Sequence, residues 1–314
     1  RDVWPEARIG LYYELFYEAE DGSAKFDKEF PSPAGQFDAL RIRLKNLNAE
    51  IHYPLGDMGI SPTRHQASTF PKKFRDRISV IHDGIDTDRV APNPNASFAV
   101  SDSLTLSRED EVVTFVNRNL EPYRGYHVFM RALPKLLKER PNARFVIVGG
   151  DGHSYGKAAP KGQTWKQIFI DEVRGDISDQ DWQRVHFVGK LEYDQFLTLL
   201  QVSRVHIYLT YPFVLSWSLL EAMSSGASIV ASDTAPVREV IKHGKTGQLV
   251  DFFDKKALVS EVCGLMENAE LRDQLGGSAR QLILSRYDLK TICLPQQLAW
   301  GDLLSKQKPA GTGL

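Results

Sequence analysis

The stretch VVTFVNRNLEPYRGYHVFMRALPKLLKERPNARFVIVGGDG, from Val112 to Gly152, decides the fold. It opens on Val112–Val116, a β-rich run with no alternation of polar and apolar residues, as expected of a strand buried on both faces. A helical pattern over about 126–140 follows, and the apolar run returns at Phe145–Val148. Strand, helix and strand with both strands buried are the repeating unit of a parallel sheet. Outward from this unit the rhythm continues, with runs at Val185–Val188, Val205–Leu209, Ser228–Ala231 and Gln248–Val250. Helical patterns at about 164–174, 192–201, 216–225 and 236–243 lie between them. Three more, at about 255–267, 270–285 and 288–305, close the chain before a short tail after Lys306. The pattern predicts a doubly wound, Rossmann-like α/β domain.

The residues before it form a different block. RIGLYYELFYE, from Arg8 to Glu18, reads as a strand already in progress, with its core at Ile9–Tyr13. A polar loop is predicted over Asp21–Gly35, then a helix from about Phe37 to Glu50 with Leu40, Leu44 and Leu47 on one face. Ser61-Pro62-Thr63 leads into a short helix, and Ile78–Ile81 is a compact β-branched run. The Gly, Pro, Asp and Asn residues of Asp83–Ala99 suit a connector, so a domain boundary is expected near residue 95. Arg1 is not an initiator Met and no signal-peptide pattern follows it, so the start of the polypeptide is expected to be missing.

Composition narrows the function classes. With 314 residues, 42% of them hydrophobic and 25% charged, the chain is long enough for two ordinary globular domains. A net charge of −1 offers no whole-molecule field for nucleic acid. Two cysteines, Cys263 and Cys293, exclude a disulfide scaffold and a multi-cysteine zinc module. No apolar run approaches the roughly 18 residues of a spanning helix, and the expectation is a cytoplasmic protein. Arg64, Lys72, Lys73, Arg75 and Arg77 form a short basic stretch. It reads as a solvated helix face or, alternatively, as peripheral contact with an anionic acceptor or the inner face of a membrane.

Ligands of doubly wound sheets bind at the carboxyl ends of the strands, so the residues after each strand carry the chemistry. Arg118 and Arg124 flank the loop after the first run, which leads into a helix near Gly125. Guanidinium forks match phosphate oxygens, and a helix amino end adds partial positive charge. Loop salt bridges are the alternative use of the same two arginines. Gly149-Gly150-Asp151-Gly152 allows either close backbone approach to a ligand or a tight turn, and it lacks the full dinucleotide fingerprint. Ser216 and Ser218 stand where a helix cap is expected, with backbone N–H groups suited to a diphosphate. Glu221 follows one turn later, as a ribose acceptor or as an ordinary surface carboxylate. The histidines do not cluster as zinc ligands, and His206, within an apolar run, reads as a hydrogen-bonded core residue.

Taken in order, these marks resemble the GT-B glycosyltransferases of family 4. The resemblance rests on Asn117-Arg118-Asn119-Leu120 with Arg124-Gly125, on Phe145–Gly152, and on Val188-Gly189-Lys190-Leu191. Leu220-Glu221-Ala222-Met223, Ser232-Asp233-Thr234 and Gly244–Val250 continue it, and Ser61–Thr63 with Val80–Asp86 extend it upstream. It implies two Rossmann-like domains facing a cleft, the first incomplete, with a C-terminal helix crossing back. On that plan residues 1–95 are a partial acceptor-side domain, 96–286 the nucleotide-sugar-binding domain, and 287–314 the returning helix and tail.

The resemblance also implies an activity: transfer of a sugar, with retention, from a nucleotide diphosphate sugar to a hydroxyl acceptor. Arg118 and Arg124 would neutralise the departing diphosphate, with no metal and no other cofactor. Glu221 would hold the ribose, Gly189 and Lys190 would lie near the base, and the amides of Val214, Leu215 and Ser216 would meet phosphate. Phe213 stands where the family carries the first glutamate of a pair separated by seven residues. A phenyl ring accepts no hydrogen bond from a sugar hydroxyl, though it packs on an apolar sugar face. The implied partners are a UDP- or GDP-linked donor and a glycan or glycolipid acceptor, as in polysaccharide assembly. Two other readings stand beside this one: a non-catalytic nucleotide-sugar-binding or scaffold protein, motivated by Phe213, and a dinucleotide-dependent oxidoreductase.

Overall fold

Three short strands, β1 (Gly10–Tyr12), β2 (Met58–Ser61) and β3 (Ile78–Val80), pair in parallel in that order. They belong to the first of two units in the computed structural model, which describes residues 3–4, 6–17, 25–31 and 36–307, without the side chains of 36–38. Of the loop expected over Asp21–Gly35, residues 21–24 and 32–35 lie outside the described residues, as do Arg1, Glu18 and the tail from 308. The first unit comprises 1–86, 212–215 and 285–314, and the second 87–211 and 216–284.

In the first unit an aromatic cluster forms the core. Tyr13 stacks on Tyr53 at 4.0 Å, and Phe70 meets Tyr13 edge-on at 4.9 Å. Phe74 meets Tyr53 at 5.3 Å. Such pairs add to the area they bury through complementary ring quadrupoles. Helix α1 (Gln36–His52) forms as expected, but its leucine face is exposed: Leu44 retains 62% of its accessible surface. What the helix buries is Asn46, whose amide exchanges two hydrogen bonds with the Tyr17 backbone at 2.7 and 2.9 Å. Apolar periodicity alone does not say which face is covered.

The helices α2 (Arg64–Ser68) and α3 (Lys72–Arg75) expose Arg64, Lys72, Lys73 and Arg75. Arg77 departs from that group, donating to the carbonyls of Gly56 at 2.8 Å and Tyr53 at 3.4 Å. The long terminal helix expected over about 288–305 forms, opening in π-type geometry. A single π-type turn, Leu289–Cys293, leads into helix α12 (Leu294–Lys306). That helix is held in the first unit by Gln297, which donates to the His82 carbonyl at 3.0 Å.

The second unit begins with an antiparallel hairpin, β4 (Ser97–Ser101) and β5 (Leu104–Ser107), where the sequence suggested the end of a connector. Its Phe98 and Leu106 are buried against Val112 and Val146 of the main sheet. That sheet has six parallel strands: β6 (Val112–Asn119), β7 (Arg144–Gly150), β8 (Val185–Gly189), β9 (Val205–Tyr208), β10 (Ser228–Ser232) and β11 (Gln248–Val250). The spatial order β11-β10-β9-β6-β7-β8 means that the chain winds outward from β6 to β8, then returns to β9 beside β6 and winds the other way.

Helices α4 (Tyr126–Glu139), α5 (Trp165–Arg174), α6 (Asp179–Trp182), α7 (Tyr193–Val202) and α8 (Trp217–Ser224) connect these strands. They are followed by α9 (Ala235–Arg238), α10 (Lys255–Glu267) and α11 (Ala269–Arg286). α9 is one turn long, shorter than the expected 236–243 pattern, because the chain turns through Gly244 (φ +69°) into β11. His206 is a fully buried core residue, with Nδ1 2.8 Å from the Thr114 hydroxyl. The reversal between β6 and β9 places a crevice at the carboxyl ends of those two strands.

Candidate functional site

The loop after β6 is shaped by Gly125, whose φ of +72° suits glycine alone. A Cβ there would lie 2.3 Å from the Leu209 side chain, so the start of α4 can approach the end of β9 only without one. This close approach brings Arg124 to the switch point. Its guanidinium, 6% exposed, donates from Nη1 to Thr210 Oγ1 at 2.7 Å and to the Tyr208 hydroxyl at 3.3 Å. The Tyr155 ring lies 5.1 Å from its Cζ. Arg118, at the end of β6, is exposed and makes no ion pair or hydrogen bond among the described residues. Both arginines line one concavity of about 450 Å³ in the second unit. It is also bounded by Asn119, Glu121, Lys190, Tyr193, Ser216 and Glu221.

Each wall has a physical cause. Gly150 ends β7 without a side chain, and a Cβ there would strike Lys190 Cε at 2.6 Å and Asn119 Oδ1 at 2.7 Å. Lys190 therefore lies across the strand end, with no acceptor for its ammonium group among the described residues. Glu221 projects from α8, and Tyr193, at the start of α7, donates its hydroxyl to Oε1 at 2.7 Å. Burial raises the Glu221 carboxyl above the ordinary carboxylate range, and the Tyr193 hydrogen bond opposes that shift. Gly189 adopts φ +68° just before Lys190 and does not itself line the concavity.

The start of α8 differs from expectation in one respect. The Ser216 amide donates to the Tyr208 hydroxyl at 2.9 Å and the Ser218 amide to Ser216 Oγ at 3.3 Å, so both donors are already engaged. The cap that makes this helix begin uses the groups that were expected to face a diphosphate. Phe213, Val214 and Leu215 lie in the 212–215 segment that groups with the first unit, Phe213 with its ring buried. The structure thus gathers Arg118, Arg124, Lys190, Ser216 and Glu221 in one concavity of the second unit.

Two contributors went unnoticed in the sequence. Glu121 is fully buried, and its carboxylate accepts the amides of Ser154, Tyr155 and Gly156 at 3.1 to 3.2 Å. It ties the segment after β7 to the loop after β6. Tyr193 was overlooked because it opens a helix rather than ending a strand, although it is only four positions beyond Gly189. A search one helix turn past each strand would find it. Among the described residues no three His, Cys, Asp or Glu side chains gather where they could hold a metal ion.

Comparison with known proteins places this arrangement. Residues 99–282 match the model of the glycosyl transferases group 1 family, and residues 1–90 match the glycosyl transferase family 4 group. The chain belongs to the group 1 glycosyltransferase family. It is 27% identical over 284 residues to the D-inositol 3-phosphate glycosyltransferase of Corynebacterium efficiens, covering 89% of this chain and 62% of that protein. It spans about half to three-fifths of the length of the curated relatives it matches.

Among solved structures, sucrose-phosphate synthase of Thermosynechococcus elongatus matches with a TM-score of 0.70 at 17% identity, over 95% of this chain and 68% of that one. The Anabaena protein HepE in complex with UDP and glucose matches with a TM-score of 0.67 at 19% identity, over 95% and 72%. These likenesses are of fold, and the fold is the GT-B class expected from the sequence. Among the described residues no helix of this group 1 family member is long and apolar enough to cross a membrane.

Proposed function

We propose that the second unit binds the nucleoside diphosphate of a sugar donor, and that the protein transfers the sugar to a hydroxyl acceptor with retention and without a metal. The observation that supports this is the meeting of Arg118, Arg124, Lys190 and Glu221 in one concavity at the switch point of the sheet. Breaking the anomeric C–O bond leaves negative charge on the departing diphosphate. Fixed cations stabilise that charge more in the transition state than in the ground state. Arg124 is held in place by Thr210 and Tyr208, while Arg118 and Lys190 keep their N–H groups for phosphate oxygens. Glu221 accepts from the ribose hydroxyls, with Tyr193 fixing the carboxylate orientation.

Family membership supports the reaction class, and the HepE complex supports a uridine or related nucleotide as donor. The named activity of the corynebacterial relative supports a phosphorylated polyol as acceptor, and that of a phosphatidyl-myo-inositol mannosyltransferase of Mycolicibacterium smegmatis supports a glycolipid hydroxyl. Titration calorimetry with UDP and GDP tests the proposal. One of the two binds saturably, and Glu221→Gln weakens it by roughly tenfold, the loss of one charged hydrogen bond. In the wild type affinity falls as pH drops through the raised Glu221 pKa, because protonation removes the acceptor, and the Gln variant shows no such fall. Failure of both nucleotides to bind overturns the reading.

Phe213 favours a second reading, in which the protein binds the donor without transferring sugar, since this residue offers no acceptor where the family resemblance implies a glutamate. Sugar release from the donor in the presence of EDTA, followed by NMR of the anomeric configuration, separates the two. Turnover with retention supports transfer, and tight binding without any turnover supports the second reading.

A further inference from the structure

At the opposite end of the same sheet, the amino ends of β6, β9 and β10 surround a second concavity of about 190 Å³. Arg108 enters it from the turn before β6, Arg204 from the turn before β9, and Arg272 from the first turns of α11. Each guanidinium is held by main-chain carbonyls. Arg108 Nη1 donates to Gln201 at 3.3 Å, Arg204 Nε to Arg108 at 3.2 Å, and Arg272 Nη1 to Leu265 at 2.7 Å and Met266 at 2.9 Å. Arg204 Nη2 also donates to the Glu109 carbonyl.

Carbonyls fix orientation but cancel no net charge. Among the described residues none of the three arginines forms an ion pair, and Nη2 of Arg108, Nη1 of Arg204 and Nη2 of Arg272 have no acceptor. Asp273 also lines the concavity and pairs with none of them. Three cations are thus oriented around one small polar space, their charge offset only in part by Asp273 and Glu111. Burial, and then the Arg204 charge, hold the Arg272 guanidinium below its ordinary value, with Arg140 adding to that effect and Asp273 and Glu111 opposing it.

We propose that this concavity binds a small oxyanion of phosphate chemistry, separately from the donor pocket. Guanidinium forks suit tetrahedral oxyanions, and the donors that remain belong to three different segments of chain, so they surround a ligand rather than face it from one side. The space is smaller than the roughly 300–1,000 Å³ of sites for drug-sized ligands, which excludes a nucleotide sugar and suits a free phosphate or the head of a phosphate monoester.

Calorimetry and thermal unfolding of the 314-residue chain with inorganic phosphate and with glycerol 3-phosphate, against sodium chloride at matched ionic strength, test this. Saturable binding and a raised Tm are expected with at least one of the two. The tighter ligand identifies the source as free phosphate or an ester. Arg108→Gln, which gives up one long carbonyl bond, weakens binding by about tenfold or more. Asp273→Asn, at an exposed carboxylate without a partner, strengthens it, and Arg118→Ala in the donor pocket leaves it unchanged. Absence of saturable binding, equal affinity in all variants, or loss of binding in Arg118→Ala overturns the proposal.

Discussion

The two parallel sheets differ in how completely they are covered. In the second unit β9 and β10 are buried at every position, and the strands around them nearly so. In the first unit β1 and β3 leave exposed and half-buried residues in alternation or succession, and α1 shows its leucines to solvent. A strand covered on both faces must be apolar throughout, whereas a strand with one open face tolerates Gly, Ser and Tyr. Depth of burial therefore governs both where stability resides and where the chain declares its fold.

The largest expected consequence is in the second core. Phe129 is 1% exposed and stacks on Phe115 at 4.5 Å, so Phe129→Ala costs about 3–5 kcal/mol by transfer and cavity formation. Chemical denaturation followed by tryptophan fluorescence measures it, and a loss below about 1 kcal/mol breaks the contrast between the units.

Acid sharpens it next. Burial lowers the His206 pKa to about 4 and that of His82, in the first unit, also to about 4, so the native protein resists protons that the unfolded chain accepts. Stability is complete above about pH 6.5 and is lost as pH falls toward 4, by up to about 3 kcal/mol per histidine. His206→Gln removes one share of that slope, and an unchanged slope in denaturation midpoints against pH contradicts the assignment.

Within the proposed donor pocket the two arginines divide along the same line. Arg118→Ala removes an exposed cation and weakens nucleotide binding by about 1.5–3 kcal/mol with Tm unchanged. Arg124→Ala takes one hydrogen-bond partner from each of Thr210 and Tyr208 and lowers both affinity and Tm. Equal behaviour of the two variants breaks the distinction. The smallest effect is expected on α1, where Leu44→Ser changes stability by less than about 0.5 kcal/mol in the same denaturation assay.

The same contrast explains what could be read from residues alone. The six strands of the second unit were legible because runs such as Val205–Leu209 have one reading in a sheet covered on both sides. The hairpin at 97–107 was not, because Ser, Thr and Asp fill its exposed positions and resemble a loop. Arg118, Arg124 and Glu221 were found by their place in and beyond the loops that follow strands, and Lys190 by the family resemblance. Glu121 escaped because its role is to bind three amides that lie over thirty residues away, and such pairing exists only after folding. The engaged amide of Ser216 was equally invisible, since its partner Tyr208 lies inside a strand, whereas that of Ser218 is taken up locally by Ser216 Oγ.

Glu121 grips main chain rather than side chains. The side chains of Ser154 and Tyr155 take no part in that anchorage, whereas a Cβ at Gly156 would come within 3.2 Å of the Glu121 carboxylate. Tyr155, which faces the Arg124 guanidinium, can be exchanged for another residue while the segment bearing it stays put. Substrate preference is thereby uncoupled from architecture at this wall: diversification of a single exposed position can retune the pocket without disturbing the scaffold.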